Sequence, residues 1–437
     1  MNIYLALLTI VSAATPDSMP RMDGSRGSGR TNLHRRVKKP AFSFASTPGQ
    51  GMGSACACAA PTGSRGETLS VARAGSAYCA KNGLAATGIA NGDLVMCGTN
   101  QARVMPGVRN GPLGLLREKT ATNYVLQSQS FDSAAWVKYT GGTAPAVPTA
   151  DTIVAPDGST TAESIVFQAV TGGQYSIMYQ ETACLNNPST LSLYAKSAAG
   201  SGTQQLGVFL GLAGGFVQPL VCEINEDTWT RCSVTANTVG GVGSVGIGNS
   251  NDTGTNNNTV VSAYVWGVQC EKTGYPTSYI PTVAAAVARA SEAYTFNSVP
   301  AVANTAPLSI SSSIVPLWIS PSAMRASGAF VSVPAVSFSE ATIVSMMWAE
   351  DASHTTCYSN GKTADRAPAA IFNHWWCSFP AAGDVSGRSD ASLSVVTSGA
   401  PVGAAAVGVA IGSWASGLAT DAVIYDVCVD PNPERCR

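Results

Sequence analysis

The sequence predicts an all-β fold, built from antiparallel β-sandwiches in tandem behind an irregular leader. Three observations lead there. Charged residues make up only 12% of the 437, about half of the roughly 25% usual in a soluble domain, so the surface relies on hydroxyls and amides. From Thr120 onward, strand-length runs rich in β-branched and aromatic residues alternate with Gly, Asn, Asp and Pro turn signals. The twelve cysteines fall in three blocks of four, as expected of disulfides made within domains in an oxidising compartment.

The chain opens with MNIYLALLTIVSAA, an apolar run ending in small residues, which reads as a secretory signal over residues 1–14, although no Lys or Arg precedes it. Residues 15–65 follow as a Gly/Ser-rich leader expected to be disordered. Its stretch from Arg21 to Lys39 holds seven basic residues and one acid, a charge run suited to an unstructured linker that touches anionic surfaces or nucleic acid. No nucleic-acid contact is expected elsewhere. Residues 66–119 carry short runs such as TLSVARAG and DLVMCG and read as a small β segment. No run of about 18 apolar residues is present later in the chain, so no membrane span is expected.

Residues 120–292 form the first expected sandwich. Runs such as TAESIVFQAV, QYSIMYQE, STLSLYAKSA, TRCSVTA and VVSAYVWGVQCE have strand length, and several alternate apolar with polar residues. In the last of these, alternation sets Tyr264, Trp266 and Val268 on one face and Val265 and Gly267 on the other. The strand leaves through Tyr275-Pro276 and Tyr279 to Pro281, a stiff exit. The stretch VAAAVARASEA (283–293) has some helical period, but the loop before it argues against a helix.

Residues 293–437 form the second expected sandwich. NHWWCSF (373–379) echoes DTWTRCSVT (227–235), and VAIGSWASGLATDAVIYDVCVD echoes VGIGNSNDTGTNNNTVVSAYVWGVQCE. The echo pairs Cys222 with Cys232 across two adjacent strands and Cys357 with Cys377 likewise. Cys184–Cys270 and Cys428–Cys436 follow by elimination. Cys56, Cys58, Cys79 and Cys97 belong to disulfides whose pairing is open; the competing metal reading lacks the paired CxxC or His spacing of a zinc site. A bridge closing about 15 residues contributes on the order of 3 kcal/mol in the chain-entropy model.

The order of the motifs TNYVLQSQSFDSAAWVK (122–138), APDGSTTAESIV (155–166), LSLYAKSAAGSG (191–202), DTWTRCSVT (227–235) and AYVWGVQCEKTGYPTSYIPT (263–282), with ARASE after it, resembles a β-sandwich module of bacteriophage tail and head-fibre proteins and some bacterial surface or carbohydrate-active proteins. GPLGLLREKTATNY (111–124) is similar to the lead-in of such proteins. The resemblance covers residues 66–292 and implies a jelly-roll-like, carbohydrate-binding sandwich, a virion or secreted location, other virion or surface proteins as partners, and a homotrimer as the usual fibre assembly. Four cysteines in the module and the basic leader depart from that pattern. The second sandwich is then a divergent copy or a concanavalin-like unit.

Sites for chemistry are few. The three histidines, His34, His354 and His374, lack a Gly-x-Ser-x-Gly elbow. Glu223, Glu226 and Asp227 in CEINEDTW form the best carboxylate cluster, but acids beside a tight turn are usually solvated. Catalytic residues are therefore expected to be none, and the chain is expected not to be an enzyme. Binding is favoured, through aromatic rings that stack on sugars and amides that reach their hydroxyls. Candidates are Trp375 and Trp376, which a strand sends to opposite faces, Tyr175 and Tyr179, and the loop residues Asn251, Asp252, Asn256 and Asn257. No cofactor is expected; Asp252 with neighbouring carbonyls would suit a structural Ca²⁺. The expected function is adhesion by binding cell-surface glycan, the alternative being the accessory or catalytic part of a secreted glycoside hydrolase or lyase.

Overall fold

The computed structural model describes residues 42–44, 56–58, 68–83, 88–106, 113–185, 188–212, 215–236, 241–250 and 259–297, and beyond these the strands of the last third between 308 and 430. The signal and nearly all of the leader, the Asn251 to Asn257 loop and Cys436 lie outside the described residues.

Every described element is a strand. The first seven are β1 (Phe42–Phe44), β2 (Leu69–Ala72), β3 (Ala77–Ala80), β4 (Leu94–Cys97), β5 (Val104–Pro106), β6 (Leu113–Arg117) and β7 (Ala121–Asn123). The first sandwich holds β8 (Val137–Gly141), β9 (Val147–Ile153), β10 (Ala162–Phe167), β11 (Tyr175–Leu185), β12 (Ser189–Ser197), β13 (Gln204–Leu212), β14 (Gly215–Ile224), β15 (Thr230–Ala236), β16 (Gly241–Ser250) and β17 (Val261–Glu271). Then come β18 (Val287–Arg289), β19 (Ala293–Asn297), β20 (Leu308–Pro316), β21 (Gly328–Val333), β22 (Val344–Trp348), β23 (Thr355–Ser359), β24 (Lys362–Arg366), β25 (Asn373–Phe379), β26 (Val385–Ser389), β27 (Ser392–Val396), β28 (Gly408–Ile411) and β29 (Ala422–Asp430).

The first sandwich stacks two five-stranded sheets, β15-β12-β17-β10-β9 and β14-β13-β16-β11-β8, all antiparallel. Its core follows from alternation. Met178 and Cys184 of β11, Leu206, Val208 and Leu210 of β13, and Val245 and Ile247 of β16 face Leu191, Leu193 and Ala195 of β12. Phe131 and Trp136 close one end, both buried, with ring centroids 5.1 Å apart. Disulfides join Cys184 to Cys270 and Cys222 to Cys232. Cys222 and Cys232 lie on consecutive strands, but β14 and β15 belong to opposite sheets. The bridge therefore spans the sandwich and does not clip two neighbours of one sheet, because the 225–229 turn crosses the sandwich edge. Cys184–Cys270 also ties one sheet to the other.

The faces of β17 depart from simple alternation. Val261, Ala263 and Val265 point into the core, and so do Val268 and Cys270. Ser192 pairs with Gln269 while Tyr194 pairs with Trp266, so Leu193 faces two residues. Gly267 is the extra residue of this bulge, with φ +66°. Val268 thus joins Val265 and not Trp266, a correction to the simple pattern. A Cβ on Gly267 would lie 3.3 Å from the ring of Tyr279, which returns along the exit to pack at a tilt, 4.5 Å from Trp266.

This packing covers the outer face of the β12/β17 sheet. Tyr194, Trp229 and Trp266 pack there with Tyr78, Ile89 and Leu94 from the 66–119 segment, and with Tyr279. We call this the covered sheet and its partner the open sheet. The segment itself is a β3–β4 hairpin held by Cys56–Cys79 and Cys58–Cys97. Its other strands join the C-terminal sheets: β5 and β6 extend the sheet of β20, β25, β26, β27 and β29, while β2 pairs with β19 in the sheet of β21–β24 and β28. These sheets face each other through β23 and β24 against β25, β26 and β27. Cys377 and Cys428 are disulfide-bonded; the side chain of Cys357 lies outside the described residues. The doubtful helix at 283–293 is extended: β18 pairs with β7.

A buried ion network joins these parts. Arg103 contacts Glu292 and sits 2.7 Å from Glu118, Arg73 sits 3.2 Å from Glu292, and Arg289 sits 3.3 Å from Glu118, all at most slightly exposed. Ser278 of the exit loop donates to Glu118 from its amide and its hydroxyl. Burial opposes the charge of Glu118, yet Arg289, Arg103 and the Ser278 donors outweigh it and hold the carboxyl at about 2. Removing one partner of a buried pair leaves an uncompensated charge and costs about 3–5 kcal/mol. Urea unfolding of Glu292→Gln at neutral pH is expected to show a loss of that order; a loss below about 1 kcal/mol, the range of exposed pairs, would mean that the network does not hold the segment.

Candidate functional site: the open sheet

The outer face of the open sheet is exposed at its β8 edge, at Val137 and Tyr139, and again at Gln205 and Glu223, while Ile177, Phe209 and the β16 glycines between them are buried. Alternation in β11 sends Ser176, Met178 and Gln180 inward and Tyr175, Ile177 and Tyr179 outward. On the edge strand β8, Val137 and Tyr139 share that face. The pairings set cross-strand rows: Tyr139–Ile177–Gly248–Gly207–Val221, and beside it Val137–Tyr179–Gly246–Phe209–Pro219. A third row starts with Gly141, Tyr175 and Ser250, and continues to Gln205 paired with Glu223. With about 4.8 Å between strands, Tyr175 and Glu223 stand about 14 Å apart.

Tyr139 is the prominent ring, 47% exposed. It stacks on Tyr175 at 4.9 Å with the planes 20° apart, and meets Tyr179 edge-on at 5.8 Å. Tyr175 in turn lies over Gly141, where a Cβ would come within 2.5 Å of its ring. Neighbouring rings thus hold Tyr139 in place while one side meets solvent. Gly248 lets β16 pack closely against β11: a Cβ there would meet the Ser176 carbonyl at 2.5 Å. Tyr175 and Tyr179 were legible as candidates; Tyr139 was missed. Counting by twos from the inward Trp136 in SFDSAAWVKYTGG would have placed Val137 and Tyr139 outward.

At the end of the sandwich, where the starts of β13 and β17 from opposite sheets meet, a cleft of about 620 Å³ is lined by Ser201, Thr203, Gln205, Glu223, Thr259 and Ser262, among others, a size within the range of small-ligand sites. The described side chains of this face include two carboxylates, Glu181 and Glu223, and no cation. Of the acids in CEINEDTW, Glu226 accepts the backbone N–H groups of Gly200 and Gly202, which hold its carboxyl low. It caps that turn. The side chains of Trp375, Trp376 and His374 on β25, and Asn251, Asp252, Asn256 and Asn257, lie outside the described residues.

Known proteins add little. No protein-family model matches the chain, and no curated protein matches it. Among solved structures, the CBM22-1–CBM22-2 tandem domain of Xyn10C from Paenibacillus barcinonensis is 11% identical; the alignment covers 72% of this chain and 99% of that one, with a TM-score of 0.26. Trypanosoma rangeli sialidase in complex with sialic acid is 8% identical over 63% of this chain and 60% of its own length, with a TM-score of 0.24. Superpositions this loose carry no argument about family or ligand. The site stands on its own geometry.

One titratable group went unnoticed in the sequence. Glu163 of β10 is buried, and burial, with Asp132 and Asp151 nearby, raises its carboxyl to about 7 against the backbone donors of Phe131 and Asp132. The folded value exceeds the unfolded one near 4.5, so the protonated form favours the fold and stability falls as pH rises from about 4.5 through 7. Glu163→Gln is expected to raise the urea midpoint over wild type at pH 8 and to leave it unchanged at pH 4. An equal gain at both pH values would show that the group does not titrate as described.

Proposed function

We propose that this protein is a non-catalytic adhesion protein, of the virion-fibre or secreted surface type, that binds cell-surface carbohydrate on the open sheet. The observation that carries the reading is Tyr139: an exposed ring, held in place by Tyr175 and Tyr179, at the β8 edge of a face that also exposes the amide of Gln205 and the carboxylate of Glu223. A ring fixed before binding loses little conformational freedom when a sugar face lies on it, and polar groups at the far edge reach hydroxyls. Four described disulfides, two of them across the sandwich, suit a protein that works outside the cell. Among the described residues, no helix is long and apolar enough to cross a membrane. Other virion or surface proteins, and a homotrimer, are the partners this role calls for.

A glycan array with the full chain tests the reading. Tyr139→Ala is expected to weaken retention about tenfold, or about 1.4 kcal/mol, while Val287→Ser, an exposed site on the β7–β18 ribbon, leaves it unchanged. Binding insensitive to Tyr139→Ala would move the site elsewhere. Release of reducing sugar from a retained glycan would favour a carbohydrate-active enzyme.

A further inference from the structure

The cysteines of the N-terminal block come closer together than two separate staples require. Cys56–Cys79 and Cys58–Cys97 are disulfides, yet the Sγ atoms of Cys79 and Cys97, from different bridges, are 3.9 Å apart. Cys56, Cys79 and Cys97 are buried and place their sulfurs within 4.8 Å of one another. A tetrahedral zinc site with Zn–S bonds of about 2.3 Å has its sulfurs about 3.8 Å apart. We propose that, in the reduced chain, Cys56, Cys58, Cys79 and Cys97 form a tetrathiolate site for one Zn²⁺, so that the same block is stapled by metal under reducing conditions and by disulfides under oxidising ones.

The backbone supports the site without the S–S bonds. Ala57, between Cys56 and Cys58, exchanges two hydrogen bonds of 2.9 Å with Val104, and Cys79 and Cys97 sit on the β3–β4 hairpin, paired with Val95 and Ala77. Three of the sulfurs are thus already gathered, and the Sγ of Cys58, bonded to Cys97 but outside that group, moves in toward them on reduction. The surroundings also suit added negative charge, since a zinc tetrathiolate carries two net negative charges. Arg73 donates to the carbonyl of Cys97 at 3.1 Å, and Arg103 to that of Tyr78, next to Cys79, at 2.7 Å. These belong to a network in which three guanidiniums (Arg73, Arg103, Arg289) face two carboxylates (Glu118, Glu292). The spacing CxC with two distant cysteines lacks the paired CxxC of many zinc sites, which is why the sequence favoured disulfides alone.

The conversion balances with a small dithiol as reductant. Each of two dithiol molecules is oxidised to its own disulfide and passes two electrons to a protein disulfide, which becomes two thiols. Zn²⁺ then displaces the four thiol protons to solvent.

The full chain, reduced with dithiothreitol under argon and desalted, is titrated with Co²⁺ and then Zn²⁺. The expected result is one Co²⁺ per chain with thiolate-to-metal charge-transfer bands and the visible bands of a tetrahedral site, bleached by one equivalent of Zn²⁺. Those bands should vanish in the paired Cys79→Ser and Cys97→Ser variant and persist in the paired Cys184→Ser and Cys270→Ser variant. Because serine variants can misfold, alkylation of the zinc-loaded wild type with iodoacetamide gives a second reading: Cys56, Cys58, Cys79 and Cys97 should be protected until a chelator is added. Absence of the bands, bands that survive loss of Cys79 and Cys97, or alkylation of these four cysteines with zinc as fast as without it would each overturn the proposal.

Discussion

The buried contact of Arg103 with Glu118 and Glu292 is the constraint on which the rest of the structure depends. Arg103 comes from the segment before the first sandwich, Glu118 from its entry, and Glu292 from its exit. Burial opposes the charge on Arg103, and the two carboxylates outweigh it, so its guanidinium is held firmly protonated. Ser278 draws the exit loop to Glu118, Tyr294 donates to the Leu116 carbonyl at 2.8 Å, and Arg73 adds the β2 end. One charged knot therefore fixes the entry to the sandwich, its exit and the cysteine hairpin.

Because the knot holds the hairpin in place, one sheet loses its wet face. Tyr78 and Ile89 press on Trp229 and Trp266, and the bulge at Gly267 makes the space into which Tyr279 folds back. The other sheet keeps an exposed edge, where β8 places Tyr139. The division of labour between the sheets is thus decided far from the site, by residues that never meet a ligand. Apolar burial on the covered side supplies stability, while the β8 edge of the other sheet keeps the Tyr139 ring exposed.

How far the sequence could be read follows from which interactions are local. The all-β class was legible because turn chemistry and alternation act over a few residues, as in TAESIVF and STLSLYA. Cys222–Cys232 could be read from the internal echo and Cys184–Cys270 by elimination, and both are pairs the structure joins. That the first of them crosses between sheets could not be read, since consecutive strands look alike whether they share a sheet or face each other. Nor did alternation survive at Gly267, where one glycine resets the faces of β17. The pairing of β5 with β6 is local, but that of β6 with β29 spans some three hundred residues and has no local signal. For the site, the outward tyrosines of β11 were visible, whereas Tyr139 and the near-neutral Glu163 depend on strand partners and burial that only the fold supplies.

The central claim is that the hairpin covers one sheet and leaves the Tyr139 edge of the other exposed, and tyrosine reactivity tests it most directly. The folded, oxidised chain is nitrated briefly with tetranitromethane and its tyrosines are quantified by peptide mass spectrometry. Tyr139, nearly half exposed, should be modified well ahead of Tyr78, Tyr194, Tyr279 and Tyr294, all at least nine-tenths buried. Nitration of Tyr78 or Tyr194 as fast as Tyr139 in the intact protein would contradict the account.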